Sequence, residues 1–98
     1  MNSKQRAYLR SLSSTISPIF QVGKNEISPE LVEGINQALE ARELIKIHVL
    51  KNCFTDPKEI ANTIAERTHS QVVHVIGKMI VLYRVSKDNP KISLEIEG

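Results

Sequence analysis

Short apolar runs alternate along this chain with segments of helical spacing. Two of those segments begin at Ser28-Pro29 and Asp56-Pro57. A serine or aspartate can cap the free N–H groups of a helix, and a proline suits its first position. A further amphipathic segment at residues 3–14 predicts a helix before the first apolar run. The pattern therefore predicts a protein that mixes helices and strands.

The apolar runs have the length and composition of β-strands. They are residues 18–22, 44–50, 71–76 and 79–84. Gly77-Lys78 separates the last two, and two intervening residues with glycine first fit a type II′ hairpin turn. In LIKIHVL the alternation places Lys46 and His48 on the face opposite to the apolar side chains.

The predicted order of elements is α-β-α-β-α-β-β, in one domain over residues 1–98. A β-α-β-α-β series implies parallel neighbouring strands with right-handed crossovers, and the final hairpin adds an antiparallel strand. We expect an α/β fold, a four-stranded mixed sheet packed with helices in two or three layers. Residues 92–98 are expected to form an edge strand or a loose tail, and we expect a monomer.

Composition excludes several classes of protein. Of the 98 residues, 41% are hydrophobic, yet no apolar stretch approaches the ~18 residues of a membrane-spanning helix. The basic N-terminal segment lacks the apolar region of a secretory signal. One cysteine, Cys53, cannot form a disulfide within the chain. These features predict a cytoplasmic protein with no membrane partner.

Charge is unevenly distributed, although the net charge is only +2. Residues 1–24 contain bases and no acid, residues 25–67 are acidic, and residues 68–91 are basic again. If folding brings the two basic regions together, the resulting face would attract polyanions through counterion release. The alternative is that these are ordinary surface lysines that keep the protein soluble.

Enzyme chemistry is not expected. His48, His74 and Cys53 are the residues that a metal site or a Cys–His nucleophile pair would use, but no HxH, HExxH or CxxC spacing occurs. The phosphate-binding motifs GxxxxGK[ST] and GxGxxG are also missing. Four acids near the second helix are interpreted as a solvated face, namely Glu30, Glu33, Glu40 and Glu43. We expect no catalytic residues, no cofactor, no metal and no small-molecule substrate.

The segment IFQVGKNEISPELVEG, residues 19–34, joins a strand to a helix through Gly23-Lys24-Asn25. Glycine leaves room for the backbone of a ligand, and lysine supplies a mobile cation. The next helix directs its free N–H groups back towards this turn. The segment is therefore either a phosphate site or an ordinary strand-to-helix connection.

Four stretches carry a resemblance to a known family: KQRAYLRSLS, ISPIFQVGKN, INQALEARELIKIHVL and VIGKMIVLYR. Over about residues 3–94 the chain resembles the YhbY family, the single-domain form of the CRM (chloroplast RNA splicing and ribosome maturation) domain. The resemblance implies a fold like the C-terminal domain of translation initiation factor three. It also implies an RNA-binding protein that associates with precursors of the large ribosomal subunit. The family's loop is commonly GxxG, but here Glu26 replaces the second glycine.

We therefore predict a non-enzymatic RNA-binding protein that binds structured ribosomal RNA through its phosphates and shape and assists 50S assembly. With two tyrosines, two phenylalanines and no tryptophan, an aromatic stacking platform is not expected. The alternative is a protein-interaction adaptor on the ribosome that uses its acidic helical face. The predicted RNA-binding residues are Lys4, Arg6, Arg10, Gly23, Lys24, Asn25, Lys46, Lys78, Arg84 and Lys87.

Overall fold

The computed structural model describes residues 1–24 and 27–97. Its elements follow the predicted order and add a helix at the end. They are α1 (Ser3–Ser13), β1 (Phe20–Val22), α2 (Pro29–Arg42), β2 (Leu44–Val49), α3 (Pro57–Thr68), β3 (Gln71–Ile76), β4 (Met79–Tyr83) and α4 (Ile92–Glu97). No helix in these two ranges has the length and apolar character that crossing a membrane requires.

The helix starts confirm the predicted caps. The Ser28 side chain accepts a hydrogen bond from the Leu31 N–H at 3.1 Å. The Asp56 carboxylate accepts one from the Lys58 N–H at 2.9 Å. In α1 the cap is Asn2, which forms a reciprocal capping box with Gln5. Each side chain satisfies a backbone donor that a helix leaves free at its start.

The four strands form one mixed sheet in the order β1-β2-β4-β3. β1 and β2 are parallel neighbours, as predicted, and β4 is antiparallel to both β2 and β3. The expectation that β2 and β3 are also neighbours was wrong, because β4 lies between them. β4 is the most deeply buried strand, with Ile80 and Leu82 fully inaccessible. Burial of such an apolar strand favours the sheet interior, whereas β3 has exposed positions and forms an edge.

Helices pack on both faces of this sheet, so the fold has three layers. On one face, which we call the α2/α3 face, those helices bury side chains that include Ile35, Ile64 and Ile47. On the opposite face, the α1 face, Leu9 packs with residues of β2, β3 and β4. Ile92 at the start of α4 packs against that same second cluster.

One acid of the supposed solvated face is fully buried. Glu43 follows α2 and has 0% of its surface exposed. Its carboxylate accepts hydrogen bonds from the Ser86 N–H at 2.8 Å, the Lys91 N–H at 2.8 Å and the Ser93 N–H at 3.0 Å. The Ser93 hydroxyl donates a fourth at 2.7 Å. The solvated interpretation was therefore wrong for Glu43, because protein donors replace water around its charge.

Glu40, one helical turn earlier, holds the same segment of chain. Its half-buried carboxylate accepts hydrogen bonds from the Ser86 hydroxyl at 2.6 Å and from the Asp88 N–H at 3.0 Å. These bonds, that of Ser86 above all, lower the pKa of Glu40 to about 2. Burial would raise the pKa of Glu43, but its hydrogen bonds outweigh this effect and lower that pKa also to about 2. We call Glu40 and Glu43 the carboxylate anchor.

The carboxylate anchor explains why the C-terminal prediction failed. Residues 92–97 form α4 and not the expected edge strand or loose tail. The Glu43 carboxylate binds the N–H groups of Lys91 and Ser93, next to the first residue of the helix. A carboxylate in that position satisfies free donors and favours a helix start. The alternation in the sequence did not reveal this partner, which lies about 50 residues earlier in the chain.

Glu43→Gln should destabilise the protein by about 3 kcal/mol, because it removes the charge that four donors share and presents an amide to them. Urea unfolding followed by circular dichroism would measure the loss. Glu33→Gln is the matched control, since Glu33 is exposed on the same helix and should change stability by less than ~0.5 kcal/mol. Equal effects of the two variants would contradict the role assigned to the anchor.

Lowering the pH should reduce the free energy of unfolding through the carboxylates of Glu40 and Glu43. Both folded-state pKa values are about 2, below the ordinary value of 4.5. The stabilisation is therefore complete above pH 4.5 and is lost as the pH falls towards 2. Urea midpoints measured between pH 7 and pH 2.5 should decline in that window. The Glu40→Gln/Glu43→Gln double variant should decline less steeply, and an unchanged slope would refute the assignment.

Candidate nucleic-acid interface

α1 covers only part of the α1 face of the sheet. Leu44 and Tyr83, at the end where β2 begins and β4 finishes, are buried in the α1 cluster. We call this the lower end, and the opposite one the upper end. Towards the upper end two rows of side chains cross the strands on the same face. The rows are Lys46–Val81–His74 and Gln21–His48–Met79–Ile76, and we call them the open half of the sheet.

A β-bulge in β3 directs His74 to the open half. The pairing is irregular between Val72 and His74. Val72 packs against the α2/α3 core, while Val73 is buried in the α1 cluster. His74, the next residue, pairs with Val81 and also lies on the α1 face. Regular alternation would have sent His74 to the other face, so the bulge re-aims this side chain.

Arg6 fixes the bulge to α1. Its guanidinium donates hydrogen bonds of 2.9 Å to the carbonyls of both Val72 and Val73. These carbonyls belong to an edge strand, where backbone groups otherwise lack a partner within the sheet. The observed contacts of Arg6 are therefore internal to the fold.

Arg10, one turn after Arg6 on the same side of α1, overhangs the open half. Arg10 and the side chains of the open half below it enclose a cavity of about 270 Å³. Its lining residues are Arg10, Ser13, Ser14, Lys46, His74, Ile76, Met79 and Val81. We call it the Arg10–Lys46–His74 cavity. No acid lines it, and neither the Arg10 guanidinium nor the Lys46 ammonium has a hydrogen bond or ion pair within the described part of the chain.

The surroundings of His74 favour its neutral form. Burial lowers its pKa below the ordinary value, and the nearby positive charge of Arg10 lowers it further. A neutral imidazole presents one hydrogen-bond donor and one acceptor. The cavity therefore combines two basic side chains with an imidazole that can donate and accept.

Two lysine-bearing turns lie at the upper end of the sheet, one on each side of β2. The Leu50 N–H binds the Val22 carbonyl at 2.8 Å, which places the Gly23-Lys24 turn beside the end of β2. The Val49 N–H binds the Lys78 carbonyl at 2.8 Å, which places the hairpin turn on the other side of β2. Gly77 has φ +56 and Lys78 has no positive φ, as a type II′ turn requires. Lys24 and Lys78 are both exposed.

The space beside Gly23 is already occupied. A Cβ atom at Gly23 would lie 3.2 Å from the Asn52 side-chain oxygen. Glycine at this position therefore allows the loop after β2 to pack against the turn, and its predicted contact with a ligand stays a prediction. Asn25 and Glu26, the remainder of the predicted loop, lie outside the described residues.

Three of the predicted site residues lie elsewhere. Arg84 is on the α2/α3 face, where its guanidinium donates to the Asn36 side chain at 2.7 Å, the Thr68 carbonyl at 2.7 Å and the Asn36 carbonyl at 2.9 Å. Lys87 is exposed beyond the lower end of the sheet. Lys4 shares a side of α1 with Tyr8, which hydrogen-bonds to Glu95. Helical geometry puts that side opposite to Arg6 and Arg10.

Sequence reasoning missed two residues near the interface. His74 was set aside because no motif included it, and no sequence signal marks the bulge that re-aims it. Phe54 is 94% exposed in the loop whose Asn52 packs on Gly23. The sequence signal for an exposed Phe54 was the position of a large apolar residue among residues typical of turns. Cys53, by contrast, is buried, and the described residues contain no group of three or more His, Cys, Asp or Glu that could hold a metal.

The architecture is thus a three-layer α/β domain with one cationic, half-open sheet face. The model of the CRS1/YhbY (CRM) domain matches residues 1–84. The chain belongs to this family, as its sequence predicted.

Relatives and a solved structure agree with this membership. The chain is 45% identical to "Probable RNA-binding protein YqeI" of Bacillus subtilis over 94 residues, which are 96% of this chain and 98% of that protein. It is 31% identical to an "RNA-binding protein" of Haemophilus influenzae over 88 residues, 90% of this chain and 89% of the relative. It superposes on the solution structure of the hypothetical protein SAV1595 from Staphylococcus aureus with a TM-score of 0.77 and 54% identity, covering 91% and 93% of the two chains. The α/β fold is therefore confirmed.

Arg10→Ala should raise the pKa of His74, because the variant removes one of the two causes that lower it. The pKa should remain below the ordinary value, since burial is the larger cause. Titration of the imidazole resonances by NMR would follow both proteins. Lys87→Ala removes a cation at the lower end and should leave the His74 titration unchanged. A shift of similar size in both variants would show that general charge, and not the position of Arg10, controls this histidine.

Proposed function

We propose that this chain is an RNA-binding protein, and that its interface is the open half of the sheet together with Lys24 and Lys78. The names of the two relatives and the family membership support RNA as the ligand. The observation that carries the choice of surface is that Arg10 and Lys46 line one cavity and that the two turn lysines lie at the adjoining upper end of the sheet. A polyanion placed there meets cations without displacing an internal ion pair.

The opposite layer supports the same orientation. α2 and α3 carry the acids Glu30, Glu33, Glu40, Glu59 and Glu66 against the bases Arg42, Lys58 and Arg67. α1 carries three bases and no acid. RNA approaching the α2/α3 layer would meet net negative charge, so repulsion directs it towards the α1 face.

Within the proposed interface, the two turn lysines supply contacts to phosphates. Lys24 and Lys78 project from turns on either side of β2. Their turns are therefore about two strand spacings, ~10 Å, apart across the upper end of the sheet. Exposed ammonium groups on flexible stems can follow a sugar–phosphate path without a fixed geometry. Such contacts position an RNA but do not read its bases, so recognition by phosphate and shape follows.

We propose structured ribosomal RNA in precursors of the large subunit as the physiological ligand, and assistance to 50S assembly as the role. The support for this finer statement is the resemblance to the YhbY family. A non-enzymatic, cytoplasmic, monomeric protein is part of the same proposal. The adaptor alternative would instead use the exposed acids of α2 and α3, and it predicts binding to ribosomal proteins that does not depend on Lys46 or Lys78.

Lys46→Ala and Lys78→Ala should each weaken binding to protein-free large-subunit RNA about tenfold at low salt, the loss expected for one charged contact. Each should also reduce the slope of log affinity against log salt by about 0.7–0.9. Lys87→Ala is the matched control, since it removes the same charge outside the interface. Fluorescence anisotropy over a salt series would measure all three. Equal losses in the three variants would refute the assigned surface.

Assembly is tested separately by sucrose-gradient sedimentation of cell extracts. The wild-type protein should sediment with immature large subunits, and Lys46→Ala/Lys78→Ala should shift to the top of the gradient. If both proteins sediment with the particles, protein contacts and not RNA hold the chain there, and the adaptor alternative is favoured.

A further inference from the structure

We infer that the Arg10–Lys46–His74 cavity binds a single unpaired nucleotide, with its phosphate between Arg10 and Lys46 and its base against Met79 and Ile76. This inference rests on the proposed RNA-binding function. It deepens that function by naming what the open half selects, an RNA with a base that is free to leave its stack.

Two cationic side chains, Arg10 and Lys46, line the cavity. Lys46 and His74 flank Val81 in one row across three strands, and Arg10 reaches over the row from α1. The effect of Arg10 on the His74 imidazole places positive charge at the cavity. No acid in the lining offsets that charge. A phosphate is the group that two neighbouring cations of this kind bind well, because it offers several acceptor oxygens.

An apolar surface lies beside these cations. Ile76 is 60% exposed, Met79 is partly exposed, and Val81 forms the buried floor. Phosphates alone would leave these side chains in water, whereas a flat base would cover them. A methionine thioether also makes favourable contacts with aromatic rings. The combination of cations and an apolar floor therefore fits a nucleotide better than a bare backbone.

The size of the cavity and the access to it limit which ligand can enter. A volume of about 270 Å³ lies just below the ~300 Å³ at which pockets for drug-sized ligands begin. The cavity thus suits one base and not a stacked pair, and α1 beside it obstructs a duplex. A polar group at the rim can meet the edge of a base. The hydroxyl of the exposed Ser14 donates to the Ser11 carbonyl at 2.7 Å, which leaves its oxygen as an acceptor.

The inference is tested with two RNA hairpins whose strands are joined by the same non-nucleotide linker and which differ only in one bulged nucleotide of the stem. The full chain should bind the bulged hairpin about tenfold more tightly, as expected from one stacked base. Ile76→Ser should reduce that preference to about threefold or less. Val85→Ser is the matched control, because Val85 is also exposed, at 44%, but follows β4 at the lower end. It should keep the full preference.

A second measurement does not depend on any variant. Adenosine monophosphate added to the wild-type protein should shift the NMR signals of the Ile76 methyl and the His74 ring, whereas inorganic phosphate should leave the Ile76 methyl unshifted. Equal shifts of that methyl with both probes would overturn the placement of the base.

The outcomes separate this inference from the proposed function. Equal, tight binding of both hairpins by the wild-type protein overturns the nucleotide cavity and leaves RNA binding in place. Loss of preference in Val85→Ser as large as in Ile76→Ser also overturns it. Failure to bind either hairpin at low salt removes the proposed function and the cavity together.

Discussion

β4 is buried on both faces between β2 and β3, and this one placement decides where the cations of the sheet lie. Because β4 is antiparallel to both neighbours, its register brings Lys46 and His74 into one row across Val81. The hairpin that delivers β4 puts Lys78 at the upper end, beside the Gly23-Lys24 turn. Had β3 paired directly with β2, as a simple parallel series predicts, neither grouping would exist.

The lower end of the sheet is closed by the carboxylate anchor. Glu43 keeps its charge in the interior because four donors surround it, and these bonds also hold it at φ 68, a backbone conformation that costs about 1–3 kcal/mol. Its carbonyl accepts the Arg84 N–H, so the anchor is tied to the end of β4. The C-terminal helix therefore packs at the lower end and leaves the open half uncovered.

Features set by local sequence could be predicted, and features set by distant contacts could not. Ser28 and Asp56 cap their helices, and Gly77 forms its turn, because each acts on residues within a few positions. Glu33 and Glu43 look alike in sequence, yet only the second meets the donors of residues 86–93. The strand order and the bulge at Val73 depend on burial across the sheet. For the same reason the sequence predicted a basic face but not which bases compose it.

Arg6 and Arg84 differ in role from Arg10 and from the lysines of the proposed interface, and that difference bears on any search for the ligand. The guanidinium groups of Arg6 and Arg84 bind backbone carbonyls and hold α1, α2 and α3 to the sheet. A planar group with several donors suits such contacts. Loss of RNA binding after replacement of either arginine would therefore report damage to the fold as readily as a lost contact. Lys24 and Lys78 are exposed on turns and hold no helix to the sheet, so the effects of replacing them can be interpreted as lost contacts with the ligand.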